Sequence, residues 1–123
     1  MLTVDVEKSG DVAVVRCAGR IVRGEAVRTL RSAVVSGNGT RIVVLDLSEV
    51  ESLDGGGLSA LVSLHHWARS RGIQLKLVNP SHFVRGILES TQLNYVFDIS
   101  SLRDALVVLG GTSVGEAKHA AGW

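Results

Sequence analysis

Ile42-Val43-Val44-Leu45 leads, through an acidic stretch, to Asp54, three consecutive glycines and a segment with apolar residues at helical spacing. A short unbroken run of β-branched and aliphatic residues predicts a central strand buried on both faces. Leu58, Leu61, Leu64, His65 and Ala68 predict an amphipathic helix that ends near Gly72. A doubly buried strand followed by such a helix constrains the chain to an α/β fold, because the strand needs neighbours and the helix needs a sheet to cover. The intervening residues, Ser48 to Asp54, read as a loop.

The flanking sequence supplies those neighbours. Leu2, Val4 and Val6 alternate with Thr3, Asp5 and Glu7, and Gly10-Asp11 is a hairpin signal into a second strand over 12–18. Ala26, Val27, Leu30, Ala33 and Val34 form one stripe of a helix over 25–36, stopped by Gly37-Asn38-Gly39. Ile73, Leu75 and Leu77 alternate with Gln74 and Lys76 as a further strand. Asn79-Pro80 then reads as the cap and first turn of a helix with Phe83, Val84, Ile87 and Leu88 on its apolar face. Tyr95-Val96-Phe97 is a short strand candidate. Ser101 and Asp104 suit a capping box for a last helix through about Leu109, with a short helix around 116–121 as an option. The prediction is one α/β domain over 1–110, its mixed β-sheet beginning with a β-hairpin and covered by about four helices, then a flexible tail over 111–123.

With 13 basic and 12 acidic residues the net charge is +1 and no basic block stands out, so neither nucleic acid nor a membrane surface is an expected partner. No apolar run approaches a membrane span, and the N-terminus lacks the apolar core of a signal peptide. The single Cys17 excludes an intramolecular disulfide, fits a cytoplasmic location, and is expected to be buried and inert. His65 and His66 are adjacent and diverge on a helix, while His82 and His119 are isolated in sequence. Trp67 is expected to pack along the second helix, and Trp123 to lie on the tail. No nucleophile–base pair or metal-ligand spacing is recognisable, so no catalysis, cofactor or metal is expected.

The glycines carry the functional information. Residues without side chains at a helix N-terminus leave peptide N–H groups open to a phosphate, a carboxylate or a partner's surface. Gly55-x-Gly57-x-x-Ala60 formally matches a dinucleotide fingerprint. The fingerprint, however, wants its first glycine at a strand's end and a carboxylate after the next strand. A loop is read before Gly55, and Leu77-Val78-Asn79-Pro80 offers no carboxylate. A P-loop is excluded because no Gly-Lys-Ser/Thr follows. Asp54 itself is expected to be the helix N-cap, accepting from Gly56 or Gly57 N–H.

Asp46-Leu47-Ser48-x-Val50, Asp54 four residues on, two small residues and Gly57-Leu58 together resemble a STAS domain, specifically the bacterial anti-sigma factor antagonists. The resemblance continues in Leu77-Val78-Asn79-Pro80, in 84–91 and in Phe97-Asp98-Ile99, and covers roughly 2–110. It implies partner switching: the unmodified antagonist binds a serine-kinase anti-sigma factor of the histidine-kinase-like ATPase type, and phosphorylation by that kinase ends the binding. The family's acceptor hydroxyl lies two residues after the aspartate, where this chain has Gly56, so the usual switch is absent at this residue. Ser59 is the nearest downstream hydroxyl and reads as a plain helix-surface serine, with a displaced acceptor as the alternative.

The expected function is thus a protein-binding module. Its docking patch would comprise Ser48, Glu49, Ser52, Asp54, Gly55, Gly56, Gly57, Leu58 and Ser59, with Glu51 among the acids that orient basic groups of a partner. A monomer or weak homodimer is expected. The alternatives are a small-ligand or nucleotide-binding STAS domain, or a STAS subunit of a lipid-transport or stress-signalling assembly.

Overall fold

The computed structural model describes residues 1–36 and 39–100. Its five-stranded sheet has the order β1-β2-β3-β4-β5, in strands that follow one another in the sequence. β1 (Leu2–Ser9) and β2 (Val12–Ile21) form the antiparallel hairpin, turning at Gly10 with φ +61°, a conformation glycine adopts without a Cβ penalty. β3 (Ile42–Leu53) pairs parallel to β2, β4 (Gln74–Val78) parallel to β3, and β5 (Asp98–Ser100) parallel to β4. The helices α1 (Glu25–Val35), α2 (Gly55–Ser70) and α3 (His82–Ser90) fill the three crossovers. The α/β class, the hairpin and the mixed sheet are as the sequence predicts.

Three α-helices stand among the described residues where about four were expected. The helix expected through Leu109, the short helix at 116–121, the tail over 111–123, His119, Trp123 and the Gly37-Asn38 helix stop all lie outside those residues.

Burial sorts the apolar residues into two clusters. Leu30, Val34, Leu61, Leu64, Ala68, Val84 and Leu88 from the helices join Val15, Cys17, Val43, Leu45, Leu75 and Leu77 in the main core. The alternate strand residues Val44 and Val78, with Val12, Val14 and Ile42 against them, form a second cluster on the other side of the sheet. Ile42–Leu45 is thereby the doubly covered centre that its composition requires. Cys17 is buried, and burial, with the charge of Asp46 adding, pushes its thiol pKa up to about 12, which leaves it unreactive.

Four expectations are corrected. Ser48–Leu53 is strand, because β3 continues through two register shifts opposite β2, between Arg16 and Ala18 and between Gly19 and Arg20. At the first shift the Asp46 carboxylate accepts the Ser48 N–H at 3.0 Å, stabilising the bulge. Asn79 is not a cap: it has φ +49°, and Ser81 caps α3 by accepting from Val84 N–H at 3.3 Å. Ser81 also donates to the Val50 carbonyl at 2.8 Å, tying the head of α3 to β3. Tyr95 closes a 3₁₀ turn (Leu93–Tyr95) entered through Gln92 at φ +62°, and the last described strand begins at Asp98. Phe83 is 48% exposed and lies off the apolar face assigned to it.

His65 packs edge-on against Phe97 with ring centroids 5.4 Å apart. Burial, followed by the neighbouring His66 and Arg69, lowers its pKa below the ordinary value of 6.5. The folded protein then binds fewer protons here than the unfolded chain, so this contribution is full above pH 6.5 and is lost as pH falls toward the lowered value. The thermal midpoint of the wild type is expected to drop more between pH 7 and 5 than that of His65→Gln, measured by circular dichroism. Equal drops would contradict it.

Candidate functional site at the head of the second helix

Parallel pairing of β2, β3 and β4 brings the C-terminal ends of these strands, and the heads of α1, α2 and α3, to one end of the sheet. At the centre, β3 delivers Leu53 and then Asp54 directly into α2. Asp54 is the N-cap: its carboxylate accepts the Gly57 N–H at 2.8 Å, and its carbonyl accepts the Leu58 N–H at 2.8 Å. Both carboxylate oxygens also lie 3.2 Å from the Arg23 backbone nitrogen, so one side chain clamps the segment between β2 and α1 to the head of α2. The Gly57 N–H first, and the Arg23 N–H next, hold the Asp54 carboxyl below the usual carboxylate range. It is therefore a fixed anion at neutral pH.

The three glycines have three different environments. A Cβ on Gly55 would meet nothing within 4 Å. On Gly56 it would lie 2.8 Å from Arg23 Cβ and 3.1 Å from Arg23 Cα. On Gly57 it would overlap the Ile21 carbonyl oxygen, which itself accepts the Asp54 N–H at 3.4 Å. Gly57 is therefore a packing glycine and Gly56 a covered one, while Gly55 presents open backbone to solvent. The dinucleotide reading changes its grounds. With β3 running to Leu53, the loop objection disappears; what stands against that reading is that the chain's own 21–23 segment occupies the space beside Gly56 and Gly57. The carboxylate missing after β4 counts against it as before.

The predicted patch is not one cluster. Ser52, Asp54, Gly55, Gly56, Leu58 and Ser59 gather around the head of α2; Gly57 lies buried beneath them. Ser48 and Glu49, though exposed, lie further back along the strand, about 10 Å or more from Leu53 at ~3.3 Å per β2 residue, since Glu49 pairs with Ala18 and Leu53 with Ile21. They line a depression with Thr3, Asp5, Arg16 and Asp46, away from the helix head. Glu51 is exposed between the two groups.

Two residues at this end escaped sequence reading. Arg23 lies 31 positions before Asp54, in a short segment with no motif of its own. Phe83 sits in an amphipathic pattern that suggests burial. The local signal for Arg23 was only that the glycines needed something to approach them; which segment did so depended on the register of β2 against β3.

The family model for the STAS domain matches residues 3–105. An anti-sigma factor antagonist from Mycobacterium paratuberculosis is similar in structure, at 28% identity and a TM-score of 0.69, over 88% of this chain and 93% of that one. The unphosphorylated anti-sigma factor antagonist SpoIIAA, a Bacillus cell fate determinant, matches at 14% identity and a TM-score of 0.69, over 89% and 99% of the two chains. A sulfate transporter family protein from Wolinella succinogenes shares the fold at 19% identity and a TM-score of 0.70, over 80% and 84%. The family model spans most of the chain, and the chain belongs to the STAS domain family.

Proposed function

We propose that this domain is a regulatory protein-binding module of the anti-sigma factor antagonist kind, which acts by docking and not by catalysis. Its partner is a serine-kinase anti-sigma factor with the histidine-kinase-like ATPase fold, and its docking surface is the exposed head of α2. The observation that carries this reading is the combination of an open Gly55 backbone with a rigid base. Asp54, Arg23 and Gly57 lock the helix head to the neighbouring segment, so a partner meets a preformed surface with little ordering cost. Exposed Glu51 and Ser59 flank it, and Asp54 adds a fixed negative charge.

The match to antagonists supports this reading, and the M. paratuberculosis protein extends it beyond fold alone. Gly56 marks the departure from the family's switch: it has no hydroxyl, and Arg23 covers the place where a side chain would stand. Docking at this end is therefore not controlled through residue 56.

The experiment is calorimetric titration of the purified domain into a purified kinase-type anti-sigma factor from the same genome, with nucleotide present. Saturable binding at micromolar affinity or tighter is expected; no heat with any such kinase of that genome would overturn the reading.

A further inference from the structure

β1 ends the sheet at one side, and no described segment pairs with its outer edge. The Arg20 N–H donates to the Met1 carbonyl at 3.1 Å, which makes Met1 and Arg20 a hydrogen-bonded pair of the hairpin. In an antiparallel ladder such pairs alternate with non-bonded ones. The backbone groups of Thr3, Asp5 and Glu7 therefore turn to β2, and those of Leu2, Val4 and Val6 turn outward. An uncovered row of this kind is a template for another strand.

Side-chain charge narrows what that strand can be. Asp5 and Glu7 stand on the sheet face turned away from the helices, since Glu7 lies opposite Val14 of the second cluster. Asp5 also lines the depression that holds Asp46 and Glu49, where Arg16 is the one basic residue. The Arg16 guanidinium donates to Glu7 at 3.0 Å, while Asp5, Asp46 and Glu49 form no salt bridge among the described residues. Asp46 lies two strands in from β1, about 10 Å at ~4.8 Å per strand, so its charge still acts at the edge in dilute salt. On the other face Val4 is half-buried and Val6 is 43% exposed. The edge thus alternates acidic and apolar positions.

The same charges exclude a second copy of the chain. β1 paired antiparallel with itself, with its faces matched, sets Asp5 against Asp5 or against Glu7. Like charges directly opposite destabilise a strand pair.

We propose that the free edge of β1 is a second docking site, which takes an extended basic segment of a partner protein as an added antiparallel strand. Lys or Arg of that segment stands opposite Asp5 and Glu7, and apolar residues stand opposite Val4 and Val6. Backbone hydrogen bonds supply affinity, and the alternation of basic and apolar residues supplies specificity.

The probe is the peptide acetyl-Val-Lys-Val-Arg-Val-Lys-Val-amide, titrated at low salt into the ¹⁵N-labelled domain and followed by NMR. Saturable shifts are expected at the amides of Leu2, Val4 and Val6, and none with a peptide carrying Glu at the basic positions. No saturable shift, or shifts confined to the head of α2, would overturn the proposal. So would the same shifts appearing without peptide as the domain is concentrated, since a second copy would then be the occupant.

Two variations separate charge from strand pairing. Asp5→Lys, at an exposed position, is expected to weaken peptide binding roughly tenfold with the thermal midpoint in place; unchanged affinity would remove the charge pairing. In an added antiparallel strand only the N–H groups opposite Val4 and Val6 face β1. The peptide N-methylated on its valines is therefore expected to lose binding, and the one N-methylated on its basic residues to keep it. Absence of that difference would overturn the added strand.

Discussion

Replacing Gly57 by alanine is expected to cost about 3 kcal/mol, at the upper end of what overpacking does, and to lower the thermal midpoint by roughly 10 °C. Alanine is ordinarily the better helix former by up to ~1 kcal/mol, so intrinsic propensity alone predicts the opposite sign. Sterics decide because the obstacle is backbone. A Cβ at this position overlaps the Ile21 carbonyl oxygen and comes within 2.9 Å of Leu53 Cδ1. Ile21 is fully buried and its carbonyl is engaged by the Asp54 N–H, so moving it loosens the end of β2 and the helix cap together. Gly55→Ala, with open space at the Cβ, is expected to stay within ~0.5 kcal/mol of the wild type. Urea denaturation of both variants measures the contrast. An unchanged midpoint for Gly57→Ala would mean that the close approach of β2 to α2 is not a feature of the folded protein.

The same residues show where a sequence is transparent and where it is not. Ile42–Leu45 was readable as an unbroken apolar run, and the alternation in β1 and the stripe in α1 because each follows one period, of 2 or 3.6. The second half of β3 was not. Leu47, Val50 and Leu53 are buried at a spacing of three, because bulges opposite Cys17 and between Gly19 and Arg20 add residues to one strand only. That spacing, set among Ser and Glu, imitates a loop. Asp54 as N-cap was legible from local chemistry, since a carboxylate before glycines at a helix start has one good use. Its second role, holding Arg23, was not, because contacts between residues 31 apart follow from strand register and not from spacing. Asn79 misled for a related reason: an Asn-Pro pair suits a helix start, but left-handed Asn79 postpones the cap to Ser81, whose partners lie on β3. The resemblance located the switch position at Gly56; only the structure shows that Arg23 covers it.

Gly55→Trp is expected to reduce affinity for the kinase-type anti-sigma factor at least a hundredfold while the domain stays folded. The position allows this separation of effects, because a Cβ added there meets nothing within 4 Å and Gly55 is exposed at the first turn of α2. A partner seated against open backbone would have to displace the indole or dock further out, losing the packed centre of the interface where most binding energy resides. Ser48 and Glu49, further back along β3 at a separate depression, lie outside this centre, and their alanine variants are expected to bind within a few-fold of the wild type. The decisive measurement is calorimetric titration of wild-type and Gly55→Trp protein against the same kinase, with thermal midpoints recorded in parallel. The head of α2 as docking site predicts matched midpoints and a hundredfold or greater loss of affinity; matched midpoints with matched affinities would contradict it.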